Sequence, residues 1–141
     1  MKRLKFLLLV PVFLFTVSCE KRVNNNTAES LDGGWEIVKV IKGDGEVDEN
    51  SMPKGVSLTA CKVSNDPCEG VWTSNNGDTK PFLWSIAEKG TIFNITPEAT
   101  DGLANQATSD LADYKGDYTI LELDDVKFIV QKGDTRLEFG K

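Results

Sequence analysis

An all-β domain is the fold class this chain predicts, on three observations. From Trp35 onward, short runs rich in β-branched and aromatic residues are punctuated by Gly, Asn, Asp and Pro at intervals of about 8–12 residues. Within the runs apolar and polar residues alternate, most cleanly in Val56, Leu58, Ala60, in Phe82, Trp84, Ile86, in Val126, Phe128, Val130 and in Leu137, Phe139, so that each set faces one core. The connections are compact: Asn75-Asn76-Gly77-Asp78, Glu88-Lys89-Gly90, Asp124-Asp125 and Lys132-Gly133-Asp134 are turn sequences that join successive strands as antiparallel hairpins. Eight such strands in one small domain leave two exposed edges, and closure removes them. The expected architecture is a single eight-stranded antiparallel up-and-down barrel.

Residues 1–18 precede that domain and read as an export signal. Met1-Lys2-Arg3-Leu4-Lys5 supplies a basic start, Phe6 to Val17 an apolar stretch, and Thr16-Val17-Ser18 the small uncharged residues before Cys19. Twelve apolar residues cover only about 18 Å as a helix, against a hydrocarbon core of roughly 30 Å, and Pro11 interrupts them. The segment from Thr16 to Cys19 resembles a bacterial lipobox, which implies that Cys19 carries acyl chains such as palmitate and becomes the first residue of the mature protein. One chain gives only marginal membrane residence, at about 0.8 kcal/mol per buried CH2, and two or more make it stable. Residues 19–30 then read as an acylated cysteine and a flexible tether, because Glu20 to Ser30 holds one sizeable aliphatic residue and no aromatic. Residues 31–141 form the barrel.

Strands are expected near 34–42, 56–63, 69–74, 81–87, 91–96, 117–123, 126–131 and 135–140. Two connections are longer. Gly43 to Gly55 holds Asp44, Glu46 and Asp48 at alternate positions, yet Glu49 and Gly55 stand where a calcium loop needs Gly and Glu, so it reads as a solvated loop. Pro97 to Gly116 carries Leu103, Ala107, Leu111 and Tyr114 at helical spacing, which suits a short helix or a lid.

Composition narrows the function. From Cys19 onward the chain carries 13 basic against 22 acidic side chains, a net −9. A surface this acidic argues against nucleic acid and against peripheral docking on anionic lipid, which leaves the covalent lipid as the membrane link. The chain has no histidine. That removes Ser-His and Cys-His pairs, imidazole bases and His-rich metal sites, and no glycine-rich turn opens a helix that would hold a phosphate. No catalytic residues, metal or cofactor are expected. Cys61 and Cys68 flank a turn-forming Asn65-Asp66-Pro67 in an exported chain and read as a disulfide clamping a hairpin. A metal site is the poorer reading, since two thiolates without histidine complete no usual zinc set unless carboxylates join them. Two free thiols are the remaining alternative.

The first strand carries a recognisable phrase. Leu31-Asp32-Gly33-Gly34-Trp35-Glu36-Ile37-Val38-Lys39-Val40 resembles the Gly-x-Trp opening of lipocalins, with Gly33 and Trp35 on the motif positions. With the Asp44-to-Asp48 turn, the strand bearing Trp84, Tyr118 to Leu123 and Thr135 to Phe139, the chain after residue 30 resembles the small lipocalin-like lipoproteins of Gram-negative bacteria. The resemblance implies a calycin-like barrel anchored in the cell envelope, at the outer membrane, on a side the sequence leaves open. It also implies a basic residue covering the first-strand tryptophan, for which Arg136 is the candidate.

An eight-stranded barrel is just wide enough to be filled by side chains or to hold one small ligand. Phe82, Trp84, Tyr118, Phe128 and Phe139 either line an apolar pocket or fill the core, and the two readings stand level. The leading expectation is a monomeric, non-catalytic module binding a small, mostly apolar molecule. The alternative is a filled barrel that binds another envelope protein, for instance as inhibitor of a wall-degrading enzyme. Thiol titration of the denatured, unreduced protein is expected to find neither Cys61 nor Cys68 free; finding both would exclude the bridge.

Overall fold

The computed structural model describes residues 13–98 and 110–141, with side chains from Ser18 onward. The apolar run of the expected export signal falls mostly on residues 1–12, outside the described residues. Among the described residues no helix is long and apolar enough to cross a membrane.

A helix, α1 (Phe13–Ser30), is followed by nine strands: β1 (Gly33–Lys42), β2 (Gly45–Glu46), β3 (Gly55–Leu58), β4 (Cys68–Thr73), β5 (Thr79–Ala87), β6 (Ile92–Pro97), β7 (Gly116–Leu123), β8 (Lys127–Lys132) and β9 (Thr135–Gly140). All neighbours pair antiparallel, and β1 pairs with β9, so eight strands close into an up-and-down barrel. The two-residue β2 only extends the β1 hairpin, pairing Glu46 with Ile41. The expected barrel is therefore present, with strand limits within a few residues of expectation except at β3. That strand stops at Leu58 because the chain turns across the barrel end: the Ala60 N–H donates to Asp32 Oδ1 at 2.8 Å, and the Cys61–Cys68 disulfide holds the loop that follows.

Alternation decides what is inside. Trp35, Ile37, Val40, Val56, Leu58, Trp72, Phe82, Trp84, Ile86, Phe93, Ile95, Tyr118, Phe128, Val130, Leu137 and Phe139 form one buried cluster. Two bulges interrupt the pattern, between Ile37 and Lys39 and between Ile120 and Glu122, and turn the extra residues Val38 and Leu121 out to solvent.

The antiparallel order sorts the connections by end. At one end lie the start of β1, the 59–67 loop, the 88–91 and 124–126 turns and Lys141; at the other lie 43–44, 47–54, 74–78, 133–134 and the segment entering β7. That last segment contains a 3-10 helix, Asp110–Tyr114, with Leu111 and Tyr114 buried. Residues 99–109, where the rest of the expected helix or lid falls, lie outside the described residues.

The first end corrects the expectation of a flexible tether. Residues 19–30 are helical and seated on the barrel. Asn24–Thr27 are weak helix formers, so tertiary contacts hold the helix. Asn24 Oδ1 accepts from the Gly90 N–H at 2.7 Å, and Asn25 exchanges hydrogen bonds with Ser64 through its amide oxygen and nitrogen. Ala28 of the helix and Leu31 just after it are fully buried. Gly90, at φ +77°, leaves no room for a side chain, since a Cβ there would lie 2.4 Å from Thr27 Oγ1. The expectation failed because it counted apolar side chains, whereas amide hydrogen bonds and a close backbone approach hold this helix.

Phe128 touches Trp35, Phe93 and Phe139, at ring centroid separations of 5.8, 5.2 and 5.1 Å. Phe128→Ala is expected to lower the unfolding free energy by about 3–5 kcal/mol, read from the urea midpoint, with far less loss for the exposed Val126→Ala.

Candidate functional site

The barrel interior is the first place to look for a site, and it is full. Phe82, Trp84, Tyr118, Phe128 and Phe139, the five candidate lining residues, all face inward and are at most 1% exposed. They pack with Trp35, Trp72 and Phe93, themselves at most 2% exposed. Trp84 meets Phe93 at 6.0 Å, continuing the group around Phe128, and Trp72 meets Phe82 at 6.3 Å and Tyr114 at 5.3 Å nearer the other end. Gly70 makes the last arrangement possible: a Cβ there would lie 2.7 Å from the Phe82 ring.

The buried polar tips of these rings are paired. Trp35 Nε1 donates to the Leu31 carbonyl at 2.8 Å, Trp84 Nε1 to the Glu69 carbonyl at 2.9 Å, Trp72 Nε1 to Asp110 Oδ1 at 2.7 Å and the Tyr118 hydroxyl to the Tyr114 carbonyl at 2.9 Å. Two of these acceptors lie in the 3-10 helix and two at the α1 end, so the same bonds that satisfy the rings close the barrel ends. Ser74 Oγ and Asp110 Oδ2, at the 3-10 end, are buried without a partner among the described residues.

Two recesses among the described residues open at the surface. A broad groove of about 1070 Å³ runs beside β1 and β3, lined by Gly34, Gly140, Glu36, Glu49, Lys54 and Lys141 among others. A smaller one of about 330 Å³ lies between α1 and the 124–126 turn. Neither is lined by any of the five candidate residues. Among the described residues no group of three or more Cys, Asp and Glu is placed to hold a metal ion.

The cation over the first-strand tryptophan is Lys141, which corrects the expectation of Arg136. Lys141 Nζ sits 4.3 Å from the Trp35 ring centroid and donates to the Asp32 carbonyl at 3.2 Å. Register explains it: β9 places Gly140 opposite Glu36 and Arg136 opposite Ile41, so Arg136 is at the far end of β1 from Trp35. There it pairs with Glu138 at 3.0 Å. Gly33 has φ +108°, a conformation that favours glycine, and turns the chain out of the helix into β1. Cys19 is exposed on α1. The side chains sequence reading passed over are Phe93, whose alternation with Ile95 was legible, and Asn24, Asn25 and Lys141, which carry no such signal.

At the 3-10 end Tyr114 and Tyr118 are both pushed above the usual tyrosine range by burial, while Lys42, 4.4 Å from the Tyr114 ring centroid, partly offsets this for Tyr114. A raised folded-state value means the unfolded chain loses these protons first. Their contribution is thus fully present below about pH 10 and is lost as pH rises beyond it. Tyrosinate absorbance is expected to appear together with loss of near-ultraviolet circular dichroism; free titration near pH ~10 in the folded protein would refute it.

No protein-family model matches the chain, and no curated protein matches it in sequence. Among solved structures the chain is similar to a lipocalin-like protein from Bacteroides uniformis, at 16% identity and a TM-score of 0.49, over 79% of this chain and 98% of that one. It is also similar to an uncharacterized protein from Bacteroides eggerthii, at 17% identity and a TM-score of 0.48, over 79% and 98% of the two chains.

Proposed function

We propose that this chain is a non-catalytic binding module of the cell envelope, anchored by lipid on Cys19 at the outer membrane of a Gram-negative bacterium, and that it engages a protein partner through its outer surface. One observation carries the choice of partner: the aromatic rings that would line a ligand cavity occupy the interior instead. A small apolar ligand, the leading expectation from sequence, would have to displace rings that contact one another at 5–6 Å and are hydrogen-bonded at their tips. The outer wall offers apolar surface in exchange. Val38, 55% exposed, lies beside Gly140 on the outside of the barrel, and Val126, in the turn before β8, is 63% exposed. The anchor is supported by the signal features of residues 1–18 and by the exposure of Cys19.

Titration with fatty acids and with an apolar fluorophore is expected to give no saturable binding and no change in tryptophan emission; stoichiometric uptake would restore the small-ligand reading. Intact mass of the membrane-extracted protein is expected to show a chain starting at Cys19 with added acyl mass, and a chain starting elsewhere or lacking that mass would remove the anchor.

A further inference from the structure

The way α1 is fixed to the barrel bears on how the protein meets a bilayer. Cys19 precedes Val23 by one helical turn, about 6 Å. From Val23 the helix is already seated: Val23 and Thr27 pack on Gly90, Asn24 and Asn25 bond to the 88–91 turn and the 59–67 loop, and Ala28 and Leu31 are buried. Twelve residues of coil would reach about 40 Å at full stretch. Here the whole run is helix, and free chain is absent between the cysteine and the barrel.

Charge divides the two ends of the molecule in the same sense. The helix and connections at the α1 end, from Cys19 on, carry five basic and seven acidic side chains, the bases being Lys21, Arg22, Lys62, Lys89 and Lys141. The described connections at the other end carry two basic, Lys54 and Lys115, against eight acidic. An anionic headgroup layer repels the second end more strongly than the first.

We infer that α1 is a rigid stalk that seats its end of the barrel against the lipid headgroups and points the acidic end away from the membrane. The inference rests on the acylation of Cys19 proposed above. The lipid supplies the binding; the helix and the charge set the orientation. At about 3.3 Å per residue and a tilt of about 40°, a ten-residue strand such as β1 rises about 25 Å along the barrel axis. The 74–78 turn therefore stands about that much farther from the headgroups than the 124–126 turn.

The test uses the acylated protein, extracted from membranes, reconstituted in phosphatidylcholine vesicles with an acceptor fluorophore on a fraction of the headgroups, and labelled with a donor at Asp125→Cys or at Asn76→Cys. Energy transfer is expected to be several-fold stronger from position 125 than from position 76. In the Asn24→Ala, Asn25→Ala double variant the two efficiencies are expected to converge, with near-ultraviolet circular dichroism reporting that the barrel is intact. Equal transfer from the two positions without those substitutions would overturn the stalk while leaving the anchor standing. Failure of the protein to float with the vesicles would remove the anchor and the stalk together.

Discussion

The volume enclosed by eight strands is the constraint on which the rest of this structure depends. Closing the sheet through β1 and β9 fixes the interior to a width that side chains alone can fill. Every inward position must then be matched to its neighbours across that width. The chain meets this with large rings and one deliberate absence: eight aromatic side chains at most 2% exposed, and Gly70 where a side chain would strike Phe82. Packing to that density leaves little freedom for any single ring, since each Phe or Trp of this set meets another ring, at 5.1–6.3 Å. The barrel ends follow from the same requirement. Trp72 and Tyr118 reach polar partners in the 3-10 helix, and Trp35 reaches the turn after α1, so capping and core satisfaction are one set of bonds.

Most of the barrel was legible in the sequence because a half-buried strand writes its orientation with a period of two. Phe82, Trp84 and Ile86, or Phe128 and Val130, could hardly be read otherwise, and the turns at Gly77, Gly90 and Gly133 all take the positive φ their sequences suggest. What alternation cannot say is whether inward means into a cavity or into a core. That depends on summed volume across strands distant in sequence, so the five candidate residues were found without their role being fixed. Arg136 and Lys141 show a second limit. Both are basic and near β9, and only the register of β9 against β1 decides which of them lies over Trp35. The helix at residues 19–30 shows a third, since amides bonded to the Gly90 and Ser64 backbone leave no periodic apolar trace.

The two bulges add a further layer that no simple pattern predicts. Each inserts one residue into an otherwise strict alternation and so keeps both flanks of its strand in phase with the core. Ile129 lies on the outer face between Glu122 and Glu138, which pair with Lys127 and Arg136, and is nevertheless 2% exposed. The outer wall is thus partly a second, thinner packing layer. Such exposed ion pairs contribute little to stability by themselves.

The pairing of β1 with β9 also sets an order of events. Residues 36–42 wait for residues 135–140, so through nearly the whole of its synthesis the chain has an unpaired β1 edge and no enclosed interior. Contacts this distant in sequence form slowly, because the loop between them must close before they stabilise anything. A chain that cannot complete its barrel until its ninth strand has emerged stays open and pliable until its synthesis is nearly done. The same topology leaves it open to edge-to-edge association until that moment, so closure of the barrel is at once the last step of its folding and the start of its resistance to aggregation.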